Sequence, residues 1–378
     1  MDKRSYFILC ALSCVLSFSV AATAALIPSI AAFFGRDALV VGKLVWIYML
    51  PYGLCALAWG PLTRKVATKK LLLSALFAFC LSATLVGMAE HLWQAFAGRL
   101  CMGVFGSCFV PLSLIIIGKE VAAKSRPKYL GFFFSTSFMA SLAGVFLSGL
   151  LFWRSIYLIP AAAGVSLFVY SLHFLKRLDY RGKFKISYLA TFKDPTVFRL
   201  FTFIIAGSFF YHSIQQWLGV YLFQEYSFSQ FFISGVFTIA SLAAIFAENI
   251  GGFFASRFGS RNIAFWGLVS MSLFIAFLLI FKAPLAVFFI IVFWGLGWAF
   301  NHVGLSSLLT SLPDTFLRDA SSLNSSLRFF AGGLGAFWGG KAVAFSNFKT
   351  HFLVTGLLIL MLGLFLKDQK KLKGDAHG

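Results

Sequence analysis

The chain has 378 residues, 60% of them hydrophobic and 12% charged, with 49 Phe and a mean hydropathy of +0.88. Soluble domains carry about a quarter charged residues, so there is too little polar side chain here to cover a globule in water, and a bilayer is the solvent that fits. The net charge of +20 invites a nucleic-acid reading, which the placement of the charges, taken up below, argues against.

Apolar runs of about 17 or more residues are long enough to cross ~30 Å of hydrocarbon as helix. Twelve are read as spans 1 to 12: about 6–29, 39–62, 71–89, 92–117, 129–151, 154–174, 200–223, 230–254, 262–281, 284–310, 320–345 and 350–366. Six precede a longer link and six follow it. The expected architecture is an all-α membrane protein with a six-helix bundle at 1–174, a cytoplasmic linker at 175–199, a second six-helix bundle at 200–367 and a cytoplasmic tail at 368–378. No repeated ten-residue alternation of the kind that builds a membrane β-barrel is present.

The opening MDKRSYFILCALSCVLSFSVAATAAL has the basic end, apolar stretch and small residues of a signal peptide. Its apolar character runs on to Pro28, and cleavage would leave an odd number of spans, so an uncleaved first helix is expected. The six Cys all fall inside spans and lack zinc-type CxxC pairs; they read as small apolar side chains rather than disulfides. No metal and no cofactor is expected.

With both termini inside, 24 of the 32 Lys and Arg fall in cytoplasmic segments, 6 outside and 2, Arg99 and Arg328, within the membrane. This is the positive-inside bias, carried by short loops such as TRKVATKK. Topology therefore explains the basicity, and nucleic acid is not an expected partner. Trp93 and Tyr221 near span ends read as interfacial anchors.

Between spans 2 and 3 lies GPLTRKVATKK (60–70), and between spans 8 and 9 lies GGFFASRFGSR (251–261). Gly60 aligns with Gly252, Lys65 with Arg257 and Lys69 with Arg261, always 192 positions apart, close to half the chain. The offset points to two related halves. The glycines are expected to let neighbouring helices approach closely, while the basic residues sit at headgroup level.

At these residues the chain resembles the major facilitator superfamily of transporters, whose signature in this loop runs Gly-x-Leu-x-Asp-Arg-x-Gly-Arg-Arg. Gly60, Leu62, Lys65 and Lys69 fit the first copy; Gly252, Arg257, Gly259 and Arg261 fit the second. The family Asp, which helps latch the two halves, is replaced by Arg64 and by Ser256. RLCMGVFGS (99–107) looks like the Arg-x-x-x-Gly-x-x-Gly pattern of span 4, associated with proton-coupled members. AGVFLSGLLFWRSIYLI (143–159) is similar to the end of span 5 in drug and metabolite antiporters, with Gly144, Gly149, Trp153 and Arg154 matching and Val145 and Ser148 departing. LRDASSLNSSLRFFAGGLGAFWGG (317–340) resembles span 11 and the loop before it. The resemblance implies two bundles rocking about a midplane site. It also suggests a charge-swapped latch in which Arg64 pairs with Asp314 or Asp319, because an Arg facing the positive end of span 11 needs an acid nearby.

Small residues in GGLGAFWGG and MGVFG read first as close-packing surfaces. Ionisable residues deep in a membrane are functional candidates by default. Arg99, about 10 Å from the outer end of span 4 at 1.5 Å per residue, either faces a cavity or snorkels. Arg328, similarly deep from the inner end of span 11, serves the cavity or gating, or makes a structural ion pair. Glu248 is a proton carrier or a partner for a cation such as Arg328. In FFYHSIQQWLGVYL of span 7, His212, Gln215 and Gln216 form one stripe with Ser208. The stripe reads as a solute-lining face, or alternatively as a hydrogen-bonded seam. Asn301 and His302 are a second, weaker pair.

The leading function is secondary transport of a small organic solute, anionic or drug-like. Proton-coupled export leads, with Glu248, His212 and His302 as coupling candidates; uptake symport and facilitated movement of a metabolite stay open. A transport-incompetent sensor is the alternative from another class. No Walker pattern, HExxH or GxSxG occurs, so no enzyme is expected. The expected partners are the solute, protons and the lipid bilayer of the inner membrane, and the chain is expected to act as a monomer.

Overall fold

The computed structural model describes residues 1–122, 125–176, 188–312 and 314–369; within its helices the side chains of 127, 249, 314–319, 321 and 322 lie outside the description. The expected tail is therefore described only to Gln369, and residues 177–187 of the linker lie outside it. Among the described residues the chain is helical, with no strand. In the first half run α1 (Lys3–Ser17), α2 (Ala22–Phe34), α3 (Ala38–Val41), α4 (Lys43–Leu62), α5 (Thr68–Gly87), α6 (Leu92–Gly106), α7 (Phe109–Glu120), α8 (Arg126–Leu147) and α9 (Ser155–Phe174). The second half has α10 (Tyr188–Lys193), α11 (Pro195–Tyr226), α12 (Gln230–Phe258), α13 (Ser260–Ile280), α14 (Pro284–Thr310), α15 (Asp314–Phe345) and α16 (Phe348–Asp368). The chain divides into two compact units, Met1–Ile186 and Ser187–Gly378.

Ten helices among the described residues are long and apolar enough to cross a membrane, and α1 with α2 makes an eleventh span bent by 41°. The remaining expected span, span 11, coincides with α15, whose 32 residues reach ~48 Å at 1.5 Å each. Its Ser, Asn, Arg and Lys residues, with the glycines of AGGLGAFWGG, make it less apolar than the others. A helix satisfies its own backbone groups, which hydrocarbon does not. The side chains left outside are large and apolar: Phe132, Phe253 and Phe365 are all about 60% exposed.

Local signals explain the helix ends. Asp194 accepts from Thr196 and Val197 N–H and precedes Pro195 at the first position of α11, so a helix begins inside the segment expected as linker. Asp2 caps α1 through the Ser5 N–H; that bond, with the Ser5 hydroxyl and Lys176, holds its carboxyl below the usual range. Gly259, at φ 87, ends α12 and starts α13 in one step, a backbone state that glycine takes without strain.

The basic residues of the duplicated loops have a matching structural task. Lys69, at the start of α5, donates from Nζ to Leu172 O (3.0 Å) and to Leu175 O (2.6 Å), at the C-terminal end of α9. Its counterpart Arg261, at the start of α13, donates from Nη1 to Gln369 O (2.6 Å), at the C-terminal end of α16. In each unit a cation from the third span thus meets the orphan carbonyls and negative dipole end of the sixth.

Close approaches repeat as well. A Cβ on Gly144 of α8 would overlap the Phe18 carbonyl at the break between α1 and α2, and one on Gly335 of α15 would overlap the Phe209 carbonyl of α11. Both residues of the second pair lie 191 positions after those of the first. Gly103 of α6 packs on Tyr48 O and Gly295 of α14 faces Ala240 O, a pair repeated at 192. Small residues here let backbones meet, as in other membrane helix pairs. Gly252 departs from the expectation: the space around it is open, and its neighbour Gly251 makes the close contact, with Phe300. Tyr221 departs too, being buried against Tyr226, Phe348 and Phe352 rather than anchored at an interface, whereas Trp93 is exposed. The six cysteines are free thiols.

Alanine substitution separates the two glycine environments. Gly252→Ala should be neutral or stabilise by ~0.5–1 kcal/mol through helix propensity, while Gly335→Ala should cost ~1–3 kcal/mol by overpacking. Thermal melts of the two purified variants check the contrast.

Candidate functional site

The polar stripe of span 7 lies on α11, and its residues part company. Ser208 is fully buried, and its hydroxyl has no partner among the described residues. His212 and Gln216, one turn apart, bond to each other, with Gln216 Nε2 3.0 Å from His212 Nδ1. Gln215 is half-buried beside them.

Tyr211, between these positions, stacks on Trp298 (ring centroids 4.0 Å apart, 9° between planes) and on Trp294 (4.7 Å, 13°), both from α14. Trp294, Trp298 and His302 recur every four residues and so share one face of that helix. The Trp298 ring meets His212 edge-on at 6.0 Å and lies 6.0 Å from His302. His302 Nδ1 in turn sits 3.4 Å from Glu248 Oε1 of α12, with each side chain one-third exposed. A continuous line of side chains, Gln216–His212–Trp298–His302–Glu248, therefore crosses three membrane-spanning helices of the second unit.

Arg328 of α15 belongs to the same neighbourhood, within electrostatic reach of His212, His302 and Glu248. It is buried to 8% exposure. Its Nε donates to Asn324 Oδ1 at 2.8 Å, one turn back on α15. Both terminal nitrogens are buried without a hydrogen-bond partner among the described residues. The acid expected as its partner, Glu248, is paired with His302 instead.

Two expected solute contacts are packed away in this structure. Asn301 is fully buried between α11 and α13, its Nδ2 donating to Ala264 O at 3.3 Å and its Oδ1 lying against Gly207. Next door to His302 in sequence, it stands about 100° around the helix from it. Arg99 of α6 is 1% exposed inside the first unit. Its Nε donates to Leu44 O at 3.0 Å and its guanidinium lies 4.2 Å from the Tyr48 ring centroid and 5.8 Å from that of Tyr157. That placement is not a snorkelling one, and its Nη1 is buried without a hydrogen-bond partner among the described residues.

Of the expected latch residues, Gly60 is buried, with Thr63 Oγ1 bonded to its carbonyl. Arg64, Lys65 and Arg257 are exposed, and Arg261 is the helix-end contact described above. The side chains of Asp314 and Asp319 lie outside the described residues, so the expected pairing with Arg64 does too. No group of three or more His, Cys, Asp or Glu suited to a metal occurs among the described residues.

The sequence reading did not single out the aromatic stack or His351. His351 of α16 is buried, its Nε2 donating to Ser213 O at 2.9 Å while Thr355 Oγ1 lies 3.4 Å from Nδ1. Only the spacing Trp294–Trp298–His302 signalled the stack, and a lone His in an apolar span signals nothing further.

A family profile described as Major Facilitator Superfamily matches residues 8–340, most of the chain. The chain belongs to the major facilitator superfamily. Among its relatives is an uncharacterized MFS-type transporter, YuxJ, of Bacillus subtilis strain 168 (26% identical, covering 84% of this chain and 85% of that one). Another is a probable sugar efflux transporter of Pasteurella multocida strain Pm70 (23% identical, covering 90% and 86%). Solved structures of similar fold include the nucleoside transporter NupG (TM-score 0.77, 14% identity, 96% and 97% covered), and a D-xylose–proton symporter (TM-score 0.79, 12% identity, 97% of both chains covered). This superfamily member is a multi-pass integral membrane protein and a secondary transporter of small solutes with the MFS fold.

His351 and the α11–α14 cluster should respond differently to substitution. His351→Leu removes a buried hydrogen bond to Ser213 O, a carbonyl that also sits within the α11 helix ladder, which costs ~0.5–1.5 kcal/mol; the folded fraction should transport at the wild-type rate. Melting temperature and solute flux per folded molecule are the two readouts.

Proposed function

We propose that this transporter exports a small organic solute across the cytoplasmic membrane in exchange for protons, with Glu248 and His302 carrying the proton and the α11–α14 face touching the solute. The observation that carries the reading is the 3.4 Å contact between His302 and Glu248 on two membrane-spanning helices, with both side chains partly exposed. Ionisable residues at such depth are costly and are kept where they carry protons, ions or substrate. A carboxylate and an imidazole at this distance hold a proton between them, and taking up a second one changes the charge of the site by a full unit. That change biases a two-state carrier only if the two states differ in how well they hold the proton.

The solute contacts on this reading are His212, Gln215 and Gln216, together with the Tyr211 and Trp298 rings. Arg99 and Asn301 position helices instead, since both are sealed in packing contacts within their own unit. Export is favoured by relatives whose names specify efflux or resistance, such as the probable sugar efflux transporter and the putative multidrug resistance protein MdtD of Yersinia enterocolitica. Proton coupling is in keeping with the D-xylose–proton symporter among the structures of similar fold. The distribution of Lys and Arg favours a cytoplasmic position for both termini.

In proteoliposomes, Glu248→Gln and His302→Gln should each reduce flux driven by a pH gradient by about 5- to 150-fold, the range of an ordinary coupling free energy. Exchange of labelled for unlabelled solute without a gradient should survive in both. Gradient-driven flux that is unchanged in both variants would rule out this proton path.

A further inference from the structure

The Arg328 guanidinium is a cation built into the hydrocarbon zone with its binding edge left empty. Its Nε bond to Asn324 Oδ1 (2.8 Å) fixes the plane of the group. What remains is the pair of terminal nitrogens, both buried and both unpartnered among the described residues. A buried, unpaired charge is costly, and the donor geometry left open is the fork that takes a carboxylate through two parallel hydrogen bonds. Glu248 lies beside His302 and makes no hydrogen bond to the Arg328 terminal nitrogens, so among the described residues the guanidinium edge is open to an incoming anion and opposes an incoming cation.

The second half of the site is apolar and flat. Tyr211, Trp294 and Trp298 form a stack with planes 9° and 13° apart. Trp298, half-buried, touches both His212 and His302, the residues that share Arg328's field. A ring system gains by lying on or against such a surface.

We infer that the transported solute is a planar organic monoanion, its carboxylate held by the Arg328 fork and its ring resting against Trp298 at the end of the Tyr211 stack. The inference rests on the reading of this face as the solute site and names the class of solute it takes. Arg328 is on this view a recognition residue, and Asn324 a positioning residue that acts through it.

Binding without any gradient tests the inference separately from proton coupling. The full-length protein in nanodiscs is titrated with 2-naphthoate, with the neutral isostere 2-naphthamide, with 2-naphthylmethylammonium and with acetate, by calorimetry and by thermal shift. Naphthoate should bind roughly ten- to a hundredfold more tightly than naphthamide, the worth of a charge-assisted hydrogen bond; the ammonium compound and acetate should bind weakly. Arg328→Gln should abolish the preference for naphthoate over naphthamide, Arg328→Lys should restore it only in part, and Trp298→Leu should weaken both naphthyl ligands alike. Where Arg328→Gln does not fold, the wild-type ranking and protection of Arg328 from phenylglyoxal by naphthoate decide the matter. Equal binding of naphthoate and naphthamide, or no binding by any carboxylate, overturns the inference. Loss of gradient-driven flux in Glu248→Gln with naphthoate binding intact leaves it standing, and preferential naphthoate binding alongside unaltered flux in that variant sinks only the proton path.

Discussion

Hydrocarbon supplies no hydrogen bonds, and that constraint organises this protein more than any single contact. Backbone groups are satisfied within helices, and most hydroxyls are satisfied by turning back on the helix that bears them. Ser82 bonds to Ala78 O, Thr238 to Ser234 O and Ser213 to Phe210 O. Where a helix ends, its free carbonyls are met by a cation from a neighbour, Lys69 in one unit and Arg261 in the other. Against that background of internal satisfaction, the exceptions are informative. Among the described residues they include Arg99 Nη1 and the Tyr48 hydroxyl in the first unit and, in the second, the Ser208 hydroxyl of α11 and the terminal nitrogens of Arg328 on α15, two helices that pack together through Gly335 and Phe209.

Duplication accounts for the scaffold and not for the site. Helix-end capping and glycine contacts recur 191 or 192 residues apart, so the backbone solution of one unit is the backbone solution of the other. At the 192-residue offset, Glu248 and His302 fall on Ala56 and Val110. The first unit has its own buried cation in Arg99, but it is tied to Leu44 O and laid over Tyr48. One unit thus lays its cation over tyrosine rings with Nη1 unpartnered, while the other leaves both terminal nitrogens unpartnered among the described residues, beside partly exposed titratable groups. The aromatic stack adds rigidity there: with Tyr211 pinned between two tryptophans, the helices α11 and α14 hold His212 and His302 at fixed places on either side of Trp298.

The sequence by itself determined the membrane solvent, the helical class, the six-plus-six order of apolar runs and the duplicated loops, because hydropathy and a fixed offset are linear properties. It also marked the short set of ionisable residues inside the bilayer, since so few are present. It was silent on which of them meet. His302 and Asn301 are adjacent in the chain, yet one reaches Glu248 and the other is buried on α13, because successive helix residues point about 100° apart. Arg99 and Arg328 look alike as lone cations in apolar runs, and only the packing around each distinguishes a guanidinium laid over tyrosine rings, with Nη1 unpartnered, from one with both terminal nitrogens unpartnered among the described residues. Gly252 and Gly251 are indistinguishable in sequence, and the tertiary structure gives the close contact to Gly251. Those choices depend on helix rotation and on which helices are neighbours, and both are set by contacts between segments far apart in the chain.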